Sequence, residues 1–176
     1  VKLNLDSAIC EVKWKNGALL KTFVHASEPI GWYSFENISG DLDPSIIPPA
    51  YVSVKQASAD NPVTGQDLRR LNYDGGKVTQ KDHFITYDQK GWSNFKFQVH
   101  TQWKPTPTGL QGSWSISSQT SKKDPEGTAE QVVTKSLQQG IESSMESHMA
   151  WWNYFWNQST IKVPDPVLQN QWYMEM

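Results

Sequence analysis

The pattern of apolar residues changes near residue 120, and this change constrains the fold more than any other feature of the sequence. Before it, short apolar and aromatic runs are separated by Gly, Pro, Asn and Asp, with no long helical period. After it, apolar or bulky residues recur at steps of three or four: Val133, Leu137, Ile141, Met145, His148, Trp152 and Phe155. The sequence therefore predicts a mainly β, antiparallel body followed by a long amphipathic helix.

The β-type runs are short, and turn residues bound them. Lys15-Asn16-Gly17 predicts a hairpin turn with Asn-Gly chemistry. Strict alternation puts Phe95, Phe97 and Val99 on one face of a strand, which indicates a sheet with one buried face. The predicted strands are 8–14, 18–26, 29–38, 51–57, 77–79, 83–87, 92–103 and 110–118, with a loop at 40–49.

Two pairs of residues predict where the long helix begins. Asp124-Pro125 has the form of a cap followed by a first-turn Pro, and Thr128 with Gln131 has the form of a capping box. From either start, the apolar stripe predicts one helix of about thirty residues. The cap-then-Pro pattern recurs at Asp165-Pro166, where a second, Trp- and Met-rich helix begins.

These patterns divide the chain into three parts. Residues 1–120 are predicted to form the antiparallel β body, and residues 121–163 a segment that contains the long helix. Residues 164–176 are predicted to start a helical domain. Because a short amphipathic helix needs partners for its apolar face, we expect the chain to belong to a longer polypeptide.

Composition excludes several classes of function. The net charge of -2 and the absence of Lys and Arg runs give no attraction for phosphate backbones, so no nucleic-acid partner is predicted. No apolar run approaches the roughly 20 residues of a membrane span, so no membrane partner is predicted either. Nine Trp in a chain of mean hydropathy -0.61 concentrate the apolar area in a few large rings. Such chains bind flat ligands such as sugars or pack against another module.

Few polar residues have a spacing that suggests chemistry. His25, His83 and His100 are scattered over separate strands, so no metal site and no cofactor are predicted. Glu142 and Glu146 are four apart on the helix, which fits a solvated surface better than an acid/base pair. No catalytic residue is predicted.

The aromatic residues give two kinds of candidate. Trp32, Trp92 and Trp114, in or beside strands and loops, are the better candidates for stacking on sugar rings, with a place in the core as the alternative. A second group lies on the helix and is predicted to form an interface between modules, since its rings face different directions. Its members are His148, Trp151, Trp152, Phe155 and Trp156. Sugar stacking remains the alternative for the Trp residues of this group, and a hydrogen bond to a nearby carbonyl is the expected role of His148.

The most specific stretch of the sequence is 148–165, with the pattern His-x-x-Trp-Trp-x-x-Phe-Trp-x-x-Ser-x-Ile-x-Val-Pro-Asp, followed by Tyr173. It resembles the linker of glycoside hydrolases that join a large β-sandwich to an (α/α)6 barrel, most closely family 95, the α-L-fucosidase group. Residues 3–9, 23–29 and 87–99 are similar, in order, to stretches of that family's N-terminal sandwich. Lys21-Thr22 departs from the pattern, which has an Arg there.

This resemblance implies that residues 1–120 are a β-sandwich portion, part of a super-β-sandwich, that residues 121–163 are a linker with the long helix, and that residues 164–176 start an all-α barrel. It implies inverting hydrolysis of glycosidic bonds, with α-L-fucosides as a candidate substrate, by barrel residues that this chain does not contain. The partners would be a carbohydrate and the remainder of the same polypeptide. Two alternatives stay open: a free-standing carbohydrate-binding β-sandwich, and a structural module that docks a partner protein. The compartment is open, with periplasm or secretion favoured for a bacterial source.

Overall fold

A computed structural model describes residues 1–38, 42–48, 75–120 and 128–175. In these ranges the chain forms an eight-stranded antiparallel sheet and three helices. The strands are β1 (Lys2–Asn4), β2 (Ile9–Lys13), β3 (Leu19–Val24), β4 (Ile30–Glu36), β5 (Lys77–Lys81), β6 (Phe84–Lys90), β7 (Phe95–Thr106) and β8 (Gly109–Thr120). The helices are α1 (Ala129–Gln139), α2 (Ile141–Gln158) and α3 (Pro166–Glu175).

The sheet consists of two meanders that join at its centre. Its strand order is β1-β2-β3-β4-β8-β7-β6-β5, so β4 pairs with β8, far away in sequence. In this central ladder Trp32 lies opposite Ser113, and Tyr33 lies opposite Gly112. The predicted Asn-Gly turn between β2 and β3 is confirmed, because Asn16 Oδ1 accepts the Ala18 N–H at 3.1 Å.

One face of the sheet packs against α1 and α2. Alternation along β3 and β4 directs Phe23, Ile30 and Trp32 to this face, where they form a buried cluster with Ile141. Val132, Leu137 and Met145 of the helices pack around that cluster. Leu137, Ile141 and Met145 of the predicted helical stripe thus pack on the sheet.

The other face, which we call the free face, has its own apolar cluster. Ile85, Trp103 and Leu110 are buried there, with Tyr33 and Phe35 packed against them. The irregular segment 42–48 covers part of this face through Leu42 and Ile46. A sheet that is apolar on both faces is typical of a layer with packing partners on both sides.

The strand predictions are largely confirmed in the described ranges. Each predicted strand other than 51–57 overlaps an observed one, and 51–57 lies outside the described residues. The three-residue β1 was not predicted from the strand pattern, since so short a run has no period of its own. The described strands form a single sheet, so the predicted mainly β, antiparallel class is confirmed in its coarse form.

The prediction of one continuous helix of about thirty residues is wrong. Gly140 has φ +89° and separates α1 from α2, a backbone conformation that glycine adopts without a Cβ penalty. The capping-box prediction is confirmed, because Thr128 Oγ1 accepts the Gln131 N–H and Gln131 Oε1 accepts the Thr128 N–H. The alternative start at Asp124-Pro125 lies outside the described residues.

The predicted second helix is also confirmed. Asp165 Oδ1 accepts the N–H groups of Val167 and Leu168 at 2.8 and 3.3 Å, so it caps the start of α3. None of the described residues of α3 is buried. Among the described residues, no helix combines the length and the hydropathy that crossing a membrane requires.

Candidate functional site

The C-terminal half of α2 carries a cluster of aromatic rings in mutual contact. Trp151 and Phe155 stack with centroids 5.4 Å apart and planes 9° apart, and Trp152 and Trp156 stack at 6.0 Å and 29°. Both pairs have the i, i+4 spacing that places side chains next to each other on a helix. Edge contacts between Trp152 and Phe155 join the two pairs into one array.

This array is fixed to the edge of the sheet and to α3. The Trp156 Nε1–H donates to the carbonyl oxygen of Leu5, 3.0 Å away, in the turn between β1 and β2. Trp156 also contacts the ring of Tyr173 on α3 at 5.5 Å, and the Tyr173 hydroxyl donates to the Ile161 carbonyl. One indole therefore links three parts of the chain.

The same region exposes an apolar surface, which we call the aromatic face. It consists of exposed residues of α2 and α3: Trp151, Tyr154, Val167, Leu168 and Met174. Tyr154 is 66% exposed and Leu168 is 64% exposed. Large apolar side chains clustered at one place on a surface are typical of an interaction site, whereas scattered ones are not.

His148 lies next to Trp152 of this cluster and is buried, with 0% of its surface exposed. Its Nδ1 accepts the Ala26 N–H at 3.1 Å, and its Nε2 lies 2.7 Å from the Ser7 carbonyl oxygen, to which it donates. Burial lowers the pKa of His148, an effect that the bond to the Ser7 carbonyl partly opposes. The expected hydrogen bond between this histidine and a carbonyl is present.

Ser147 lies 3.0 Å from His25 Nε2, a contact with the residue types of a nucleophile and its base. The proton positions argue against that chemistry. His25 Nδ1 accepts the N–H groups of Ser27 and Glu28, so the ring proton is on Nε2 and is donated to Ser147. The Ser147 hydroxyl in turn donates to backbone carbonyls of its own helix. His25 therefore does not act as a base toward Ser147 in this arrangement.

A cleft of about 520 Å³ lies on the free face, under segment 42–48. We call it the sheet cleft. Its floor includes the rings of Trp114 and Tyr33, each of which lies against a glycine on the neighbouring strand. A Cβ at Gly31 would lie 2.2 Å from Trp114, and a Cβ at Gly112 would lie 2.3 Å from Tyr33. The two rings therefore lie on the sheet, in the space that side chains at these glycines would occupy.

Polar groups of the cleft are mostly hydrogen-bonded to the protein. The Tyr33 hydroxyl donates to Thr101 Oγ1 at 2.8 Å, and Thr101 donates to the Ser113 carbonyl. Burial raises the pKa of Tyr33. Asp43 and Ser45 of segment 42–48 also line the cleft.

The structure places the three candidate sugar-stacking tryptophans in three different environments. Trp32 is 0% exposed beneath the helices, so its ring has no face open to a ligand. Trp92 is 79% exposed on the turn between β6 and β7. Trp114 lies in the sheet cleft together with Tyr33, which the sequence did not identify as a candidate. The three residues do not form one platform.

The remaining titratable candidates lie apart from each other. Glu142 and Glu146 are both exposed, as predicted for a solvated surface. His100 is buried, and its Nδ1 lies 2.7 Å from Thr86 Oγ1, while His83 is exposed in the turn before β6. Within the described ranges, no group of three His, Cys, Asp or Glu residues has an arrangement that could hold a metal ion.

No protein-family model matches this chain, and no curated protein matches it.

Proposed function

We propose that this chain is the non-catalytic sheet and linker portion of a carbohydrate-active glycoside hydrolase. In this role it supports the hydrolysis of glycosidic bonds, with α-L-fucosides as one candidate substrate, by a helical barrel in another part of the same polypeptide. The aromatic face of α2 and α3 is the observation that carries the proposal, because it is anchored to the sheet and yet exposed.

The anchoring supports a docking role. Trp156 and His148 hold α2 to the β1–β2 turn through their bonds to Leu5 and Ser7, so the orientation of the helix is fixed. Tyr154 and Leu168 remain exposed on it and on α3. Aromatic residues on a preorganised surface are typical of interfaces, where they contribute much of the binding energy. A barrel that packs on this face would continue the helical layer that α3 begins.

The free face supports a finer proposal about the fold. Val24, Ile116 and Val78 are exposed on it, beyond the part that segment 42–48 covers. Because a sheet buries an apolar face against a second layer, we propose that this sheet is one layer of a β-sandwich whose other layer covers these residues.

The hydrogen bonds of the polar candidates agree with a supporting role. Ser147 is held by helix carbonyls and by a donating His25, and Glu142 and Glu146 stand on an exposed helix surface. None of these groups faces the sheet cleft. We therefore assign the chemistry of the enzyme to residues outside this chain.

Activity measurements test the proposal. We expect the polypeptide encoded by the whole open reading frame to hydrolyse an aryl glycoside, with aryl α-L-fucoside among those assayed. The 176-residue chain alone should show no turnover. Turnover by the chain alone would contradict the proposal, as would a stop codon directly after the codon for Met176.

A pair of variants tests the aromatic face within the whole polypeptide. Replacing Trp151 and Tyr154 together by Ala removes exposed rings from the proposed interface. We expect a lower melting temperature and lower glycosidase activity than in the wild type. Trp92→Ala, which removes an even more exposed ring on the β6–β7 turn, is the matched control and should leave both unchanged.

The sheet cleft favours a second candidate function, carbohydrate binding by the chain itself. Trp114 and Tyr33 form an aromatic floor, and the volume of about 520 Å³ falls in the range of small-molecule sites. Titration with L-fucose and with oligosaccharides, followed by tryptophan fluorescence, would test it. Saturable binding that Trp114→Ala abolishes and Trp92→Ala retains would support this function in place of a second sheet layer over the cleft.

A further inference from the structure

His25 and His148 form a compact cluster where three parts of the chain meet. Their ring centroids are 5.7 Å apart, and both rings are buried. His148 bonds to Ser7 in the β1–β2 turn and to Ala26 in the β3–β4 turn. His25 bonds across to Ser147 of α2. These contacts join α2 to two turns at the same end of the sheet.

Both rings must be neutral for these hydrogen bonds to form. His148 Nδ1 accepts the Ala26 N–H, and His25 Nδ1 accepts the N–H groups of Ser27 and Glu28. A protonated imidazole has no acceptor nitrogen. Protonation of either ring would therefore replace each of these hydrogen bonds by two N–H groups that face each other. Two charged rings at this distance would also repel each other.

We propose that the His25–His148 cluster is an acid-sensitive latch that holds α2, and with it the aromatic face, against the turns of the sheet. At neutral pH the latch is closed, with His148 Nδ1 accepting the Ala26 N–H. Acidification protonates His148, removes the bond to Ala26, places a positive charge beside the His25 ring and releases the helix. The consequence for an enzyme, loss of docking at low pH, rests on the proposed function.

Few groups around the two rings would stabilise a positive charge on either of them. Asp6 of the β1–β2 turn and Glu28 of the β3–β4 turn are exposed, as are Glu142 and Glu146 of α2. Within the described residues, none of these carboxylates hydrogen-bonds or ion-pairs with either ring. On the sheet side, His148 meets the ring of Phe23, with centroids 4.7 Å apart. A cation at His148 would gain a cation–π contact with that ring but no hydrogen bond or ion pair with these carboxylates.

The direction of the pH effect follows from the lowered pKa of His148. The unfolded chain takes up the proton at a higher pH than the folded one, so the stability contributed by the closed latch is complete above about pH 6.5 and falls as the pH drops below it. One unit of difference between the two pKa values corresponds to a tenfold change in the opening equilibrium.

Hydrogen exchange with NMR titration of the wild-type chain provides the test. We expect amide protection in α2, corrected for intrinsic exchange, to fall between pH 7.5 and pH 5 in step with proton uptake by His148. In His148→Gln, which cannot titrate, this pH dependence should be reduced. His83→Gln, at an exposed ring, is the matched control and should behave as the wild type.

Two results would overturn the latch. One is proton uptake by His148 without loss of protection in α2, which the wild type alone can show even if the variant does not fold. The other is an undiminished pH dependence in His148→Gln. The exchange experiment uses the chain without any substrate, so it does not depend on glycosidase activity. If the latch opens as expected but the whole polypeptide shows no glycosidase activity, the proposed function is refuted and the latch is not.

Discussion

Gly31 of β4 lies directly opposite Trp114 of β8, and the indole ring occupies the space where a side chain at residue 31 would be. A Cβ there would lie 2.2 Å from Trp114 Cε2. The Gly31→Ala change should therefore displace the ring and destabilise the fold by about 1–3 kcal/mol, the usual effect of overpacking. Urea unfolding measures this change. Gly75→Ala, where a Cβ meets nothing within 4 Å, is the control, and equal effects at the two sites would refute the argument.

Trp156→Phe should weaken the attachment of α2 to the β1–β2 turn. The change keeps an aromatic ring against Trp152 and Tyr173 and removes the Nε1–H that donates to the Leu5 carbonyl. We expect a loss of about 0.5–1.5 kcal/mol in the free energy of unfolding, as for one intramolecular hydrogen bond.

Trp92→Phe gives the comparison for this variant. Trp92 is exposed on a turn and should tolerate the same change with no measurable loss of stability. Chemical denaturation gives the free energy of unfolding of both variants in the isolated chain. The difference between their losses separates the contribution of the hydrogen bond from the general effect of replacing an indole.

Ser113 and Ser115 offer a matched pair on β8. Both side chains are buried on the helix-covered face, but Ser115 Oγ donates to the Pro29 carbonyl at 2.6 Å, whereas Ser113 Oγ has no hydrogen-bond partner among the described residues. Ser115→Ala should therefore lower the free energy of unfolding by about 1 kcal/mol, while Ser113→Ala should leave it unchanged or raise it. A thermal unfolding scan that ranks the two variants the other way would contradict these assignments.

The β body was predictable because its signals are local. Asn16-Gly17 determines a turn, and alternation along Phe95, Phe97 and Val99 determines which residues share a face. The pairing of β4 with β8 could not be predicted, since it joins residues about eighty apart in the sequence and depends on contacts between the two meanders. No local pattern predicts which strands meet at the centre of a sheet.

The candidate sites that depend on local spacing could also be predicted from the sequence, and those that depend on distant strand pairing could not. Membership of the aromatic cluster follows from i, i+4 spacing on α2, which the sequence displays. The sheet cleft could not be predicted, because Tyr33 and Trp114 come together only through the β4–β8 ladder. For Trp32 the sequence left stacking and core burial open, and the structure buries the ring, since residue type alone does not distinguish a ring on the buried face of a strand from one on the open face.

Gly140 explains why the helix prediction failed and provides a final test. The apolar stripe continues at helical spacing through residue 140, so the pattern indicates one helix, but the backbone there has φ +89° and ψ 156°. An L side chain adopts this conformation only with strain. We expect Gly140→Ala to lower the free energy of unfolding by about 1–3 kcal/mol, because either the strain remains or α1 and α2 must reorient against the sheet.

Gln139→Ala, at the exposed last residue of α1, is the control and should have an effect below about 0.5 kcal/mol. Far-UV circular dichroism distinguishes the two ways in which Gly140→Ala could act: a rise in helix content means that α1 and α2 have merged, and an unchanged spectrum means that the break persists under strain. Unchanged stability together with an unchanged spectrum would show that residue 140 does not need to be a glycine. The break between α1 and α2 would then result from the packing of Ile141 and Val133 on the sheet.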